Sequence, residues 1–127
     1  MSSSSAPSFN PNTLENQTFH FVGIGGCGMS GLARLITRLG ATVQGTDLVE
    51  SEVTQGLINE GISVSYEQDG QTIHSQIDVI VHSAAIPPNH IEILKGDEYG
   101  IPVLTYAKML GFVQSRHTGV CLAGTHG

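Results

Sequence analysis

Phe19-His20-Phe21-Val22-Gly23-Ile24-Gly25-Gly26-Cys27-Gly28-Met29-Ser30-Gly31 is the stretch on which the fold turns. Its first four residues make a short strand that a run of glycines stops. Gly23, Gly25 and Gly28 then spell G-x-G-x-x-G. A helix follows over about residues 29–39, with Leu32, Leu35, Ile36 and Leu39 at the i, i+3, i+4, i+7 spacing of one buried face. Gly40 ends it, as a residue needing positive φ does. Strand, glycine turn and helix in this order open a dinucleotide-type βαβ unit. Gly23 permits the tight turn, Gly25 lets backbone approach a diphosphate, and Gly28 lets the helix sit close to the strand. N–H groups from Cys27 to Ser30 lie at the positive end of the helix, where they can bind phosphate. The bland alternative is a tight turn that binds nothing.

Outward from this loop, strands and helices alternate. Thr42-Val43-Gln44-Gly45-Thr46 reads as the second strand and places Asp47 at its end. An acidic residue there accepts hydrogen bonds from a ribose or a base, or else serves as a cap or a solvated loop carboxylate. Ser51 caps a helix to Asn59 with Val53, Leu57 and Ile58 inward, and Gly61 stops it. A third strand is expected over 62–66 and a weak turn or short helix over 72–75. A fourth strand is expected over 77–81, running into Ser83-Ala84-Ala85-Ile86-Pro87-Pro88. Asn89 opens a helix to about Tyr99, a fifth strand covers 101–104, and a last helix 106–114. Short loops between alternating elements require a parallel sheet with right-handed crossovers. The fold class is therefore α/β, a Rossmann-like doubly wound parallel sheet of about five strands.

Two segments fall outside that unit. Residues 1–17 are rich in Ser, Asn and Pro, lack Lys and Arg, and read as a disordered leader rather than a signal peptide. At the other end, Val120-Cys121-Leu122-Ala123 reads as a trailing strand that enters Gly124-Thr125-His126-Gly127. Strand followed by G-x-x-G is how a phosphate-binding P-loop begins, and the Lys and Ser/Thr that complete such a loop do not follow. The expected organisation is a leader over 1–17, a nucleotide-binding domain over 18–116, and the first strand and partial P-loop of a truncated central domain over 117–127.

Composition narrows the function. The chain has 127 residues, 5 Lys plus Arg and 11 Asp plus Glu, a formal charge of −6 that disfavours nucleic acid and anionic membrane as partners. Backbone N–H groups can still bind an anionic small ligand. No apolar run approaches the roughly 20 residues that span a bilayer. The two cysteines, Cys27 and Cys121, match no zinc or CxxC spacing and suit a reduced compartment. Cys27 lies at a helix N-terminus but has no neighbouring base, so it reads as a small filler. His20, inside a central strand, reads as a hydrogen-bonded core histidine.

Taken together, the segment from His20 to Gly31 resembles the opening of the Mur ligase family. Gly45-Thr46-Asp47-Leu48, His82-Ser83-Ala84-Ala85-Ile86, Ile101-Pro102-Val103-Leu104 with Ala107, Met109 and Leu110, and Ala123-Gly124-Thr125-His126-Gly127 follow in the family's order. The resemblance implies a cytoplasmic, three-domain, ATP- and Mg2+-dependent ligase of peptidoglycan synthesis, in the branch that adds L-alanine to UDP-N-acetylmuramate. This chain is then its N-terminal, UDP-sugar-binding domain. By match to the motif, Gly23, Gly25, Gly26, Cys27, Gly28, Met29 and Ser30 cradle the diphosphate. Asp47 and Leu48 lie at the uracil, and Ser83, Ala84 and Ala85 line the nucleotide-sugar path. Gly124, Thr125, His126 and Gly127 begin the ATP loop. No catalytic residue or metal ligand is assigned within these residues, so the 127 residues alone are expected to be inactive.

Departures from the family pattern are Cys27, where Ala is usual, and Thr105, Tyr106 and Lys108, which replace an Arg-rich segment containing Glu. The related ligase that recycles a tripeptide onto the same nucleotide is an alternative within the family. An NAD-binding module of a dehydrogenase or regulatory protein is the alternative outside it, because Gly23, Gly25, Gly28 and Asp47 also satisfy that fingerprint. A pure interaction domain is a third reading, and it leaves the glycine loop without a role.

Overall fold

The structure is a computed structural model that describes residues 14–116. The elements run β1 (Thr18–Val22), α1 (Met29–Arg38), β2 (Thr42–Thr46), α2 (Glu52–Asn59), β3 (Ser63–Ser65), β4 (Val79–His82), α3 (Ile91–Glu98), β5 (Val103–Thr105) and α4 (Tyr106–Arg116). The strands form one five-stranded sheet in the order β3-β2-β1-β4-β5. Every pairing is parallel, with Val22 beside Thr46 on one side and His82 on the other. This is the Rossmann-like doubly wound sheet that the alternation of elements predicts. The expected trailing strand over 120–123 and the partial loop of Gly124, Thr125, His126 and Gly127 lie outside the described residues.

The period-2 alternation of β1 sorts the two faces of the sheet. Phe19 and Phe21, with Val43, Val79 and Val81, join Leu32 and Ile36 of α1, Leu57 of α2, and Met109 and Val113 of α4 in the main core. Val22 and Ile80 join Ile73, Ile77 and Ile101 in a smaller core on the opposite face. There α3 lies close against β4, since a Cβ on Gly96 would collide with the Ile80 side chain.

On this second face the start of α3 reaches β1 and β2 through Glu92, and residues 66–78 cross beside it. Turns close there at Ile73 N–H to Gly70 O and Ile77 N–H to His74 O, the turn rather than the short helix of the two forms expected over 72–75. A polar network fills the gap. His20 is fully buried, with Nε2 2.8 Å from Glu92 Oε1 and Nδ1 2.8 Å from Gln44 Nε2. The Gln44 amide also donates to Thr72 O, and Thr46 Oγ1 donates to Glu92 Oε1. The Gln44 donor makes Nδ1 the acceptor, so His20 carries its proton on Nε2 and donates to Glu92. Core histidine is thus the right reading of His20. Glu92 Oε2 is buried without a partner among the described residues.

Element boundaries differ from the sequence expectations where a backbone N–H is spent elsewhere. Ile62 N–H returns to Leu57 O and Ile101 N–H to Gly96 O, so each closes the preceding helix and delays the strand expected to begin there. β4 starts at Val79 rather than 77, because Ile77 closes a turn and the Asp78 carboxylate accepts from Thr18 N–H at 2.8 Å. α3 is capped by His90 rather than opened by Asn89, its Nδ1 accepting from Glu92 N–H.

The fold also begins earlier than Thr18. Leu14 is buried in the main core, and Gln17 O accepts from Thr42 N–H. Those residues of the expected leader therefore pack onto the domain.

In α2, Leu57 is buried as expected, but Val53 and Ile58 are 38% and 39% exposed. Thr54 takes the inward position instead. Ser51 and Thr54 form a reciprocal capping box, and the Thr54 hydroxyl also meets Tyr66 Oη at 2.8 Å. Ser51→Ala removes one half of that box and is expected to lower stability by about 1 kcal/mol. A urea titration checks this, and an unchanged midpoint would show that the cap contributes nothing.

Candidate functional site

The order β3-β2-β1-β4-β5 reverses direction between β1 and β4, and doubly wound sheets bind ligands outside the strand ends at such a point. The glycine loop leaves β1 there. Thr46, at the end of β2, pins its start: the Thr46 carbonyl accepts from Gly23 N–H at 2.8 Å and from Ile24 N–H at 2.9 Å. Because the Thr46 side chain donates to Glu92, the buried network on the second face holds the strand end that anchors the loop.

Within the loop, most N–H groups are already used. Gly25 N–H donates to Asp47 Oδ2 at 2.8 Å and Gly26 N–H to Gly23 O. Met29 and Ser30 both donate to Gly26 O. The N–H groups of Cys27 and Gly28 have no partner among the described residues, and they sit where α1 begins. Of the four N–H groups from Cys27 to Ser30, these two are free to meet an anion. Gly28 has φ +80° and Gly23 φ +78°, the left-handed region that favours glycine. At Gly25 the space is what matters: a Cβ there would lie 2.9 Å from both Asp47 Oδ2 and Thr54 Cγ2.

Around the loop the other candidate residues fall on the same sheet edge. Asp47 follows β2, and its second oxygen accepts from Val49 N–H at 3.2 Å. Leu48 and Val49 beside it are 71% and 64% exposed, an apolar surface against which a flat ring can lie. Ser83, Ala84 and Ala85 follow β4, with Ala84 and Ala85 exposed. Cys27 is an exposed free thiol. Met29 is turned away, buried in the main core. Gly23, Gly25, Gly26, Cys27, Gly28, Ser30, Asp47, Leu48, Ser83, Ala84 and Ala85 thus share the edge formed by three neighbouring strands.

Sequence reasoning missed one neighbour of the loop. The Tyr106 ring, from the start of α4, packs against Gly28. No group of three or more His, Cys, Asp or Glu side chains that could hold a metal ion occurs among the described residues. The Mg2+ that the resemblance implies has no ligand set among the described residues. No helix among the described residues is long and apolar enough to cross a membrane.

A parallel doubly wound sheet with a glycine loop at its switch point defines the class: a Rossmann-like α/β domain. A family model described as Mur ligase family, catalytic domain, matches residues 18–118, and the chain belongs to that family. The UDP-N-acetylmuramate--L-alanine ligase of Clostridium kluyveri is 39% identical over 115 residues, covering 90% of this chain and 25% of that protein. The ligase of the same name from Anaeromyxobacter dehalogenans is 43% identical over 108 residues, covering 85% and 23%. The chain therefore spans about a quarter of the length of these curated relatives.

Among solved structures, the UDP-N-acetylmuramate-alanine ligase of Thermotoga maritima superposes with a TM-score of 0.77 at 25% identity, covering 81% of this chain and 24% of that one. The UDP-N-acetylmuramate:L-alanyl-gamma-D-glutamyl-meso-diaminopimelate ligase from Neisseria meningitides gives 0.67 at 25% identity, covering 75% and 30%.

Proposed function

We propose that this chain is the UDP-N-acetylmuramate-binding domain of an ATP-dependent ligase that joins L-alanine to that nucleotide sugar in peptidoglycan synthesis. The observation that carries the reading is the pair of unpartnered N–H groups, Cys27 and Gly28, at the start of α1 and at the switch point of the sheet. In this reading they receive the diphosphate. Asp47 holds the loop through Gly25 N–H and presents its remaining lone pairs to the uridine, while Leu48 and Val49 offer the base an apolar face. Ser83, Ala84 and Ala85 lead the sugar away along the end of β4. The choice of L-alanine as the amino acid rests on the relatives at 39% and 43% identity, both UDP-N-acetylmuramate--L-alanine ligases.

The domain's work is to bind and orient. ATP supplies the activating phosphoryl group, and in this reading Gly124, Thr125, His126 and Gly127 open the loop that receives it. Amide-bond formation is expected to need the parts of the relatives' length that this chain does not span.

Calorimetric titration of the chain tests the assignment. UDP-N-acetylmuramate and UDP are expected to bind with one-to-one stoichiometry and NAD to give no heat. Binding of NAD alone would move the domain to the dinucleotide class instead.

A further inference from the structure

Tyr106 is the first residue of α4, immediately after β5, and Thr105 of β5 pairs with His82 at the end of β4. From there the ring reaches back to the glycine loop. A Cβ built on Gly28 would lie 2.9 Å from both Tyr106 Cζ and Oη, and 3.3 Å from Cε1. The phenol thus occupies the space that a side chain at the first turn of α1 would fill. One side of the ring is held by the main core, against which Tyr106 is half-buried.

The hydroxyl makes no hydrogen bond with any described residue. A half-buried tyrosine ordinarily finds a partner for its hydroxyl, and one without a protein partner meets water or a ligand. It lies beside Gly28, whose N–H, with that of Cys27, is one of the two unspent donors of the loop. Three donors from two elements, two backbone and one phenolic, are thus collected at one end of α1. All three are neutral, and their common complement is an oxyanion with several acceptor oxygens.

We propose that Tyr106 is a specificity-determining residue of the nucleotide site, its ring forming a wall of the glycine loop and its hydroxyl donating to a phosphate of the ligand held at Cys27 and Gly28. The inference rests on the reading of this loop as a diphosphate site. It gives the end of β5 a part in binding and makes the hydroxyl answer to the phosphates rather than to the uridine.

Tyr106→Phe separates the two contributions, because it keeps the ring and removes only the donor. With the full 127-residue chain, UDP is titrated by calorimetry, and uridine is followed through the Leu48 amide shift. Tyr106→Phe is expected to weaken UDP roughly tenfold, the loss of one hydrogen bond to a charged acceptor. Uridine binding and the unfolding midpoint of the free protein are expected to stay as in the wild type. If the wild type binds UDP and Tyr106→Phe binds it equally well, the hydroxyl has no part in recognition and the inference falls while the diphosphate site stands. If UDP and uridine weaken together, the role is packing and the inference also falls. A wild type that does not bind UDP overturns the reading beneath it, and Tyr106 with it.

Discussion

His20→Ala is expected to lower the stability of the domain by about 3 kcal/mol or more, the range for breaking a fully buried polar pair. His20 and Glu92 are both fully buried, and among the described residues Glu92 Oε1 accepts from two donors, His20 Nε2 and Thr46 Oγ1. Removing the ring leaves that oxygen with one donor beside an Oε2 that already has none. It also strips the Gln44 amide of its acceptor on Nδ1. Glu92→Gln, which can keep an acceptor facing His20 and Thr46, is expected to cost much less, about 1 kcal/mol. Urea unfolding followed by circular dichroism measures both. A His20→Ala midpoint within error of the wild type would mean that the network fills space and contributes no more than that.

Gly25→Ala should have the largest effect on binding. Its Cβ would lie 2.9 Å from the carboxylate oxygen that accepts the residue's own N–H, and 2.9 Å from the Thr54 methyl group. The loop must shift to admit it, which breaks its tie to Asp47 and displaces the neighbouring Cys27 and Gly28 N–H groups. UDP affinity is expected to fall by more than tenfold, with a stability loss of about 1–3 kcal/mol from overpacking. Combining the substitution with Asp47→Ala removes one of the two collisions. The stability losses should then be non-additive, the double variant losing less than the sum of the two single variants. Strict additivity would show that Asp47 and Gly25 do not act on one another.

How much of this was legible in the sequence follows from what each signal measures. The glycine spacing and the alternation of elements specify topology, because a parallel crossover can be wound in one hand only, and the sheet order agrees. The strand starts expected at Ile62, Ile77 and Ile101 came too early, since an apolar residue reads as strand even when its N–H closes the preceding helix or turn. In α2, Val53 was expected inward on hydrophobicity. The capping box and the contact with Tyr66 gave that place to Thr54.

The buried network was half visible. His20, Gln44 and Thr46 interrupt the apolar pattern on one face of the sheet, and register brings His20 beside Gln44. Their partner Glu92 lies 72 residues from His20, in a helix start that reads as an ordinary acidic first turn. The site shows the same division. That a loop with free N–H groups exists follows from G-x-G-x-x-G. Which N–H groups remain free depends on Gly26 O taking both Met29 and Ser30, a matter of loop geometry with no sequence signature. Tyr106 stood out only as a departure from the family's Arg-rich segment, and its position against Gly28 required the fold.

The most direct test of the nucleotide-sugar assignment is a backbone amide titration of the 127-residue chain, with UDP-N-acetylmuramate in one series and NAD in the other. With the uridine nucleotide, the Cys27 and Gly28 resonances should shift most, followed by Gly25, Asp47 and Leu48, while NAD leaves all of them in place. Shifts at these residues with NAD and none with UDP-N-acetylmuramate would contradict the assignment.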